Sequence, residues 1–250
     1  DGVNWTSFTE KDGLTPGLVL ALRVTGDGSV YAGTYWGIDR FREGSWHRVF
    51  PQSGSLPLRC TDILEDSAGD LWASTYWGPL RLRGREATLY TASGFAESLR
   101  ALLPGVAIEE VPDSAVPQRT WADGIGAWRW RLAEGQILIL PVMAGSPFER
   151  AGLKAGDRIH SVNGDPAGSL SGPAGTTLML SVEREGRADP IEVQVTIEEV
   201  QEWTCKNFDV YDLFEDRAGT LWIGLGYGEI VRWDVRERGH DDPDAWRLYT

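Results

Sequence analysis

The sequence predicts a mainly β protein in which small sheets repeat along the chain and a second domain interrupts the repeat. The letters TYWG occur at residues 34–37 and again at 75–78, 41 residues later. A third copy lies near the end of the chain, as RAGTLWIGLGYGEIVRWD over residues 217–234. No copy occurs between about residues 91 and 203, so the sequence predicts an inserted domain there.

Each copy divides into four short strands with alternating hydrophobic residues, bounded by glycine and aspartate turns. In the first copy these strands are predicted at residues 19–24, 29–34, 38–42 and 46–50. Repeats of about 40 residues with four strands are typical of β-propeller blades. The predicted fold is therefore a partial β-propeller of three four-stranded blades with an inserted domain.

Residues 4–14 predict one orphan outer strand, because Trp5-x-x-Phe8 parallels Trp246-x-x-Tyr249 at the end of the last copy. A propeller needs about four to eight blades to close. We therefore expect the remaining blades, or further copies of the chain, as partners of this segment.

Two aspartates, Asp66 and Asp216, begin turns that end in a glycine, and we expect their carboxylates to cap those turns. A calcium site is the alternative interpretation. The first copy has Thr25 at this position, and one carboxylate per turn supplies too few ligands for calcium.

Four tryptophans recur with the repeat. Trp72 and Trp222 lie on the second strand of their copies and are predicted to form the core between blades. Trp36 and Trp77 lie in the following turn and are predicted to be exposed aromatic contacts. An aromatic ligand cage is the alternative interpretation of the same pattern.

The pattern E-D-x-x-G-x-L-W occupies residues 65–72 and 215–222. It resembles the two-component regulator propeller repeat, which occurs in extracytoplasmic sensor regions of bacterial histidine kinases. The resemblance covers about residues 1–91 and 203–250. It implies a sensing module with a periplasmic or cell-surface location.

Inside the insertion, the run GSPFERAGLKAGDRIHSVNG at residues 145–164 resembles a PDZ domain of the kind found in bacterial tail-specific proteases. The resemblance covers about residues 122–199. It implies that a glycine loop binds the C-terminal carboxylate of a peptide, which pairs with the next strand. The implied carboxylate-binding residues are Gly124, Ile125, Gly126 and Ala127, and the implied strand-pairing residues are Trp128, Arg129 and Trp130.

The insertion departs from the PDZ pattern in one respect. Where that family has a helix that forms the second wall of the peptide groove, residues 165–175 are rich in glycine and proline and predict no helix. Residues 95–103 predict a short helix within a connector at 92–121, which also holds several prolines. The resulting domain boundaries are 1–91, 92–121, 122–199 and 200–250.

Composition excludes some partners. The formal charge of −13 argues against nucleic acid, because binding phosphates needs clustered Lys and Arg. No apolar run reaches the length that spans a bilayer. Cys60 and Cys205 could form a disulfide or remain a free pair, and with three scattered histidines they predict no metal site and no cofactor.

The sequence therefore predicts a non-catalytic sensing or binding module whose ligand or protein partner is unknown. The first alternative is a scaffold that docks a peptide, such as a free C-terminus, at the PDZ-like edge. The second is a lyase-like propeller enzyme, which would need histidine and acidic residues at a channel mouth. His47, His160 and His240 do not fall in such positions.

Overall fold

A computed structural model describes residues 4–51, 56–132, 135–166, 168–236 and 238–250. The chain divides into two compact units. Unit 1 comprises Asp1–Ala96, Leu103–Pro117 and Lys206–Thr250, and unit 2 comprises Glu97–Leu102 and Gln118–Cys205. The structure is mainly β with few helices.

Unit 1 begins with two repeat sheets. Sheet 1 is formed by β1 (Val19–Val24), β2 (Val30–Thr34), β3 (Ile38–Arg42) and β4 (Ser45–Phe50), in that order. Sheet 2 is formed by β5 (Ile63–Glu65), β6 (Leu71–Ala73), β7 (Leu80–Arg83) and β8 (Glu86–Thr91), followed by helix α1 (Ser93–Leu102) and a fifth strand, β9 (Ala107–Glu110). The four strands predicted in the first copy are confirmed to within one residue at each end, and α1 confirms the predicted helix.

Unit 2 holds the strands of the insertion. The strands and helix are β10 (Gln118–Asp123), β11 (Ala127–Arg131), β12 (Ile137–Val142), α2 (Pro147–Arg150), β13 (Arg158–Val162), β14 (Thr177–Glu183), β15 (Ile191–Thr196) and β16 (Gln201–Lys206). β11 to β15 form one five-stranded sheet, and β10 pairs with β16 in a separate ribbon. The core of this sheet packs Ile139, Leu180 and Val182 against Phe148 of α2.

The chain then returns to unit 1 and forms sheet 3 from β17 (Val210–Glu215), β18 (Leu221–Leu225), β19 (Ile230–Trp233) and β20 (Trp246–Tyr249). Neighbouring repeat sheets are joined in the same way, by a hydrogen bond from near the start of one sheet to near the end of the second strand of the sheet before it. The Cys60 N–H donates to the Thr34 carbonyl at 3.0 Å, and the Val210 N–H donates to the Thr75 carbonyl at 2.9 Å. Over the described residues the three sheets do not close into a ring.

The aspartates of the repeated turns cap them as predicted. Asp66 accepts hydrogen bonds from the Ala68 and Asp70 N–H groups, and its second oxygen accepts one from the Trp72 indole at 2.9 Å. Asp216 makes the equivalent bonds to the third turn and to Trp222. The Trp222 indole and the Thr220 N–H hold the pKa of Asp216 below its ordinary value. The aspartate and tryptophan of the repeated motif therefore act as one unit.

Glutamates link neighbouring sheets. The Glu65 carboxylate of sheet 2 accepts a hydrogen bond from the Gly26 N–H in the turn of sheet 1, at 2.6 Å. Glu215 of sheet 3 accepts one from the Ser67 N–H of sheet 2, at 2.7 Å. In the first copy the corresponding position is Val24. The link therefore runs from each sheet to the turn of the sheet before it.

Three expectations are corrected by the structure. Residues 4–9 form no strand, and Glu10–Asp12 form a 3₁₀ turn capped by Thr9. Phe8 instead packs against the rings of Phe41 and Trp46, because the outer part of sheet 1 offers an apolar surface there.

The second correction concerns the connector, since β9 pairs in parallel with β8 and makes sheet 2 five-stranded.

The third correction concerns the tryptophans. Trp77 is only 2% exposed, because its indole donates to the Pro57 carbonyl and its ring packs against Phe95 of α1. Trp36 is half-buried, and so is Trp222, which was predicted to be core.

Candidate functional site

The candidate site is the outer edge of β11. The order of the five-stranded sheet places β11 at one edge and β15 at the other. An edge strand presents backbone N–H and C=O groups that a further extended chain can pair with. The three residues implied to pair with a peptide, Trp128, Arg129 and Trp130, all lie on this strand.

The hydrogen-bond pattern identifies which groups of β11 face outward. The Leu132 N–H donates to the Gln136 carbonyl at 2.7 Å, which makes these residues a hydrogen-bonded pair. Arg129 is opposite Ile139 and Arg131 is opposite Ile137. Since hydrogen-bonded and non-bonded pairs alternate in an antiparallel ladder, the backbone groups of Arg129 and Arg131 point away from β12.

The glycine loop before β11 is occupied by a carboxylate of the chain itself. The N–H groups of Gly126 and Ile125 donate to Asp123 Oδ1 at 2.7 and 3.1 Å. The other carboxylate oxygen, Oδ2, accepts a hydrogen bond from the Arg129 guanidinium at 2.7 Å. These contacts take up two of the N–H groups that a PDZ-type loop offers to a peptide C-terminus.

A tryptophan covers the same loop. Gly126 has a φ of +67°, and a Cβ placed on it would lie 2.4 Å from Ser146 Cβ and 2.8 Å from a carbon of the Trp203 ring. The Trp203 indole also donates to the Asp123 carbonyl at 3.1 Å. Trp203 lies on β16, which pairs with β10, so this ribbon fixes the ring over the loop.

The loop residues differ in exposure. Ile125, Gly126 and Ala127 are buried, and Gly124 is half-buried. Their backbone is engaged within the unit, since the Ile125 carbonyl accepts from Phe148 and the Gly126 carbonyl accepts from Met143. The role of these residues in binding a peptide carboxylate remains a prediction.

Two residues of this site were not anticipated from the sequence. Asp123 precedes Gly124-Ile125-Gly126, and an aspartate that bonds N–H groups two and three residues later is a known local turn, so this signal was readable. Trp203 lies 80 residues further along the chain, and nothing in the sequence indicates its contact with Gly126.

The PDZ resemblance places the second wall of the site at residues 165–175. Residues 165–166 and 168–175 contain no helix, as their glycines and prolines predict. Leu170 of this segment is buried in the core of the sheet. The segment is therefore anchored without forming the helix that borders a PDZ groove.

A second cluster lies in unit 1, between sheets 2 and 3. The Arg59 guanidinium is sandwiched between the rings of Tyr76 and Tyr211, 4.0 and 3.7 Å from their centroids, and it pairs with Asp209. These contacts join side chains of unit 1 to one another, and the Arg59 and Asp209 side chains are both nearly buried. The cluster therefore fastens the two sheets together.

Two carboxylates approach each other beside this cluster. Asp62 accepts a hydrogen bond from the Leu213 N–H at 2.9 Å, and the same N–H donates to Asp212 at 3.1 Å. Burial and the neighbouring Asp212 raise the pKa of Asp62. The pair bonds the backbone of β17 and has no histidine beside it among the contacts described.

The remaining reactive groups are dispersed. Both cysteines are free, and burial raises the pKa of the Cys205 thiol to about 11, so it is a thiol at neutral pH. His160 bonds Gln136 and Glu183 on the surface of unit 2, whereas His240 pairs with Glu109 in unit 1. Within the described ranges, no three His, Cys, Asp or Glu residues are grouped so that they could hold a metal ion.

Comparison with known proteins identifies one domain. The PDZ domain family matches residues 138–184, which include most of β12 and all of α2, β13 and β14. A search of curated proteins gives no match. Among the described residues, no helix has the length and apolar character needed to cross a membrane.

Solved structures give weak similarities. Two are extracellular domains of putative hybrid two-component systems from B. thetaiotaomicron. The first has 14% identity over 98% of this chain and 30% of that chain, with a TM-score of 0.27. The second has 13% identity over 95% of this chain and 29% of that chain, with a TM-score of 0.30.

A third is a catalytically inactive virginiamycin B lyase from Staphylococcus aureus with quinupristin, at 11% identity over 93% of this chain and 69% of that chain, with a TM-score of 0.25. The chain spans about 30% of the length of the two-component structures. What the comparisons establish is thus local: residues 138–184 match the PDZ domain family.

Proposed function

We propose that this chain is a non-catalytic binding module in which the outer edge of β11 takes up an extended peptide as an additional strand. The observation that carries the proposal is the edge position of β11 in the five-stranded sheet. The match to the PDZ family begins at residue 138, within the neighbouring strand β12, and β11 itself lies outside the match. The outward backbone groups of β11 at Arg129 and Arg131 supply the hydrogen bonds for strand addition.

We further propose that the module belongs to the extracytoplasmic sensor region of a bacterial signalling protein, in the periplasm or at the cell surface. The support is the repeated E-D-x-x-G-x-L-W pattern, whose aspartate and tryptophan form the same turn network in sheets 2 and 3. In this proposal the three repeat sheets are blades of a partial β-propeller.

The experiment begins with the intact chain as bait. Random peptides of about eight residues, the length of a protein strand, are displayed in two formats. In one format the peptide ends in a free carboxylate, and in the other a folded domain follows it. Peptides enriched in either format are then synthesised, and their dissociation constants are measured by calorimetry.

The decisive variant is Arg129→Pro, with Arg129→Ala as its matched control. Both variants remove the guanidinium that contacts Asp123. Only the proline removes the outward N–H, and proline is tolerated on an edge strand. We expect Arg129→Pro to weaken binding by about tenfold or more relative to Arg129→Ala, which corresponds to about one hydrogen bond.

Two outcomes would contradict the proposal. One is that neither display format yields an enriched peptide. The other is that Arg129→Pro binds the selected peptides as well as Arg129→Ala while near-UV circular dichroism shows both variants folded.

A further inference from the structure

The glycine loop at the start of β11 determines which part of a peptide can bind at the β11 edge. An extended chain that pairs antiparallel with β11 has its C-terminal end beside Ala127, where the glycine loop lies. A free carboxylate at that point would need the loop N–H groups as donors. In this structure those of Ile125 and Gly126 already donate to Asp123.

Displacing Asp123 would be costly. Its carboxylate is largely buried and also holds the Arg129 guanidinium, so releasing the two N–H groups would leave a charged group without those partners. Trp203 adds a steric barrier, because its ring and Ser146 contact Gly126 closely enough that not even a Cβ fits there. The guanidinium of Arg129 in addition donates to the Ala127 carbonyl at 3.2 Å.

The outer edge of β11 contrasts with the glycine loop at its start. Residues 165–166 and 168–175 form no helix, so the helix that the PDZ resemblance implies beside the groove is not formed over these residues. The outward backbone groups of Arg129 and Arg131 remain suited to pair with an extended chain.

We propose that the β11 edge recognises an internal extended segment of a polypeptide rather than a free C-terminus, because Asp123 supplies the carboxylate that the glycine loop binds. The proposal rests on the proposed function and names its class of partner. Strand addition provides the binding energy, and Asp123 and Trp203 remove the contribution of a terminal carboxylate.

The test compares two forms of each peptide selected by display, one with a C-terminal acid and one with a C-terminal amide. With the natural chain we expect the two forms to bind equally, within about twofold. In Asp123→Ala, which frees the Ile125 and Gly126 N–H groups and Arg129, we expect the acid to bind about tenfold more tightly than the amide.

Asp189→Ala is the matched control, because it removes an exposed carboxylate between β14 and β15 and should leave acid and amide equal. In Asp123→Asn the amide oxygen can still accept from both N–H groups, so equal binding is again expected. The intact-chain comparison decides the question even if Asp123→Ala does not fold.

A preference of the natural chain for the acid form, or enrichment only in the free-carboxylate format, would overturn this inference while the proposed strand addition would stand. Absence of binding in both formats would overturn the proposed function itself. Enrichment in the internal format with equal affinities of acid and amide would support both.

Discussion

Trp72 and Trp222 occupy the same place in their repeats but differ in what surrounds them. Each indole donates to the aspartate of its own turn at 2.9 Å. Trp72 is 1% exposed and packs against Tyr90 and against Trp233 of sheet 3, with ring centroids 5.8 and 5.5 Å apart. Trp222 is half-buried and stacks on Tyr249, which is partly exposed.

We expect Trp72→Ala to lower the free energy of unfolding by about 3–5 kcal/mol, the usual cost of truncating a buried aromatic residue. Trp222→Ala should cost clearly less, about 1–2 kcal/mol, because less of the ring leaves an apolar environment. Both variants lose the same indole–aspartate hydrogen bond, so the difference between them reports the burial and ring contacts of the two tryptophans. Urea unfolding followed by far-UV circular dichroism measures it, and equal losses would mean that Trp222 is covered in solution.

At the scale of elements, the two crossings between the units lie next to each other. The Asn207 N–H donates to the Pro117 carbonyl at 3.2 Å, and the Lys206 ammonium donates to the carbonyls of Asp113 and Val116. The chain therefore leaves unit 1 after Pro117 and returns at Lys206 within hydrogen-bonding distance.

We expect unit 1 to fold after residues 118–205 are replaced by a two-residue Asn-Gly turn, because domains inserted between adjacent chain ends can be removed without loss of the host sheets. The measurement is the cooperativity of thermal unfolding by circular dichroism at a β-sheet wavelength. The isolated 118–205 segment serves as the complementary sample. Loss of the cooperative transition in the shortened chain would contradict the division into two units.

Local patterns predicted much of the secondary structure. Alternating residues and turn glycines located the strands of sheet 1, and the proline and glycine after residue 103 located the end of α1. Long-range contacts were not readable. Trp36 and Trp77 share the letters TYWG, yet only Trp77 is buried, because α1 places Phe95 against it.

The same reason explains the other errors. β9 pairs in parallel with β8, and a four-residue strand without alternation does not reveal a parallel partner. Residues 4–9 carry the pattern of an outer strand but form no strand, and Phe8 packs as a side chain on sheet 1 instead. At the candidate site, the turn formed by Asp123 is predictable from local sequence, whereas the contact of Trp203 with Gly126 is not.

At the scale of the whole molecule, sheets 1 and 3 each leave apolar residues in water. On and next to β1 the exposed residues are Leu18, Leu20, Leu22 and Val24, and on sheet 3 they are Phe214, Ile230 and Tyr249. Contiguous exposed apolar patches of this kind mark surfaces that associate. They are consistent with the expectation that further blades or further copies of the chain would cover these faces.

We expect light scattering of the isolated chain to give a mass well above its 27.6 kDa, rising with protein concentration. Phe214→Glu combined with Ile230→Glu should reduce the association, because both residues lie on the same exposed face of sheet 3. The control is a pair of glutamate substitutions at exposed polar positions outside sheet 3, Arg85 and Arg187. A concentration-independent monomer for the natural chain would contradict this prediction.

The glutamate links between sheets give the repeat array a direction. Glu65 and Glu215 each accept a hydrogen bond from the turn of the preceding sheet, at Gly26 and at Ser67. The equivalent N–H in the turn of sheet 3 is that of Arg217, from which a glutamate of a further sheet packed on sheet 3 would accept a hydrogen bond. Sheet 1 cannot make this hydrogen bond to another sheet, because it has Val24 in place of the glutamate. Two copies joined head to tail would thus lack the glutamate hydrogen bond that both internal junctions have. A blade with glutamate at the position of Val24 would form that bond, so we expect it to pack on sheet 3 more specifically than a second copy does.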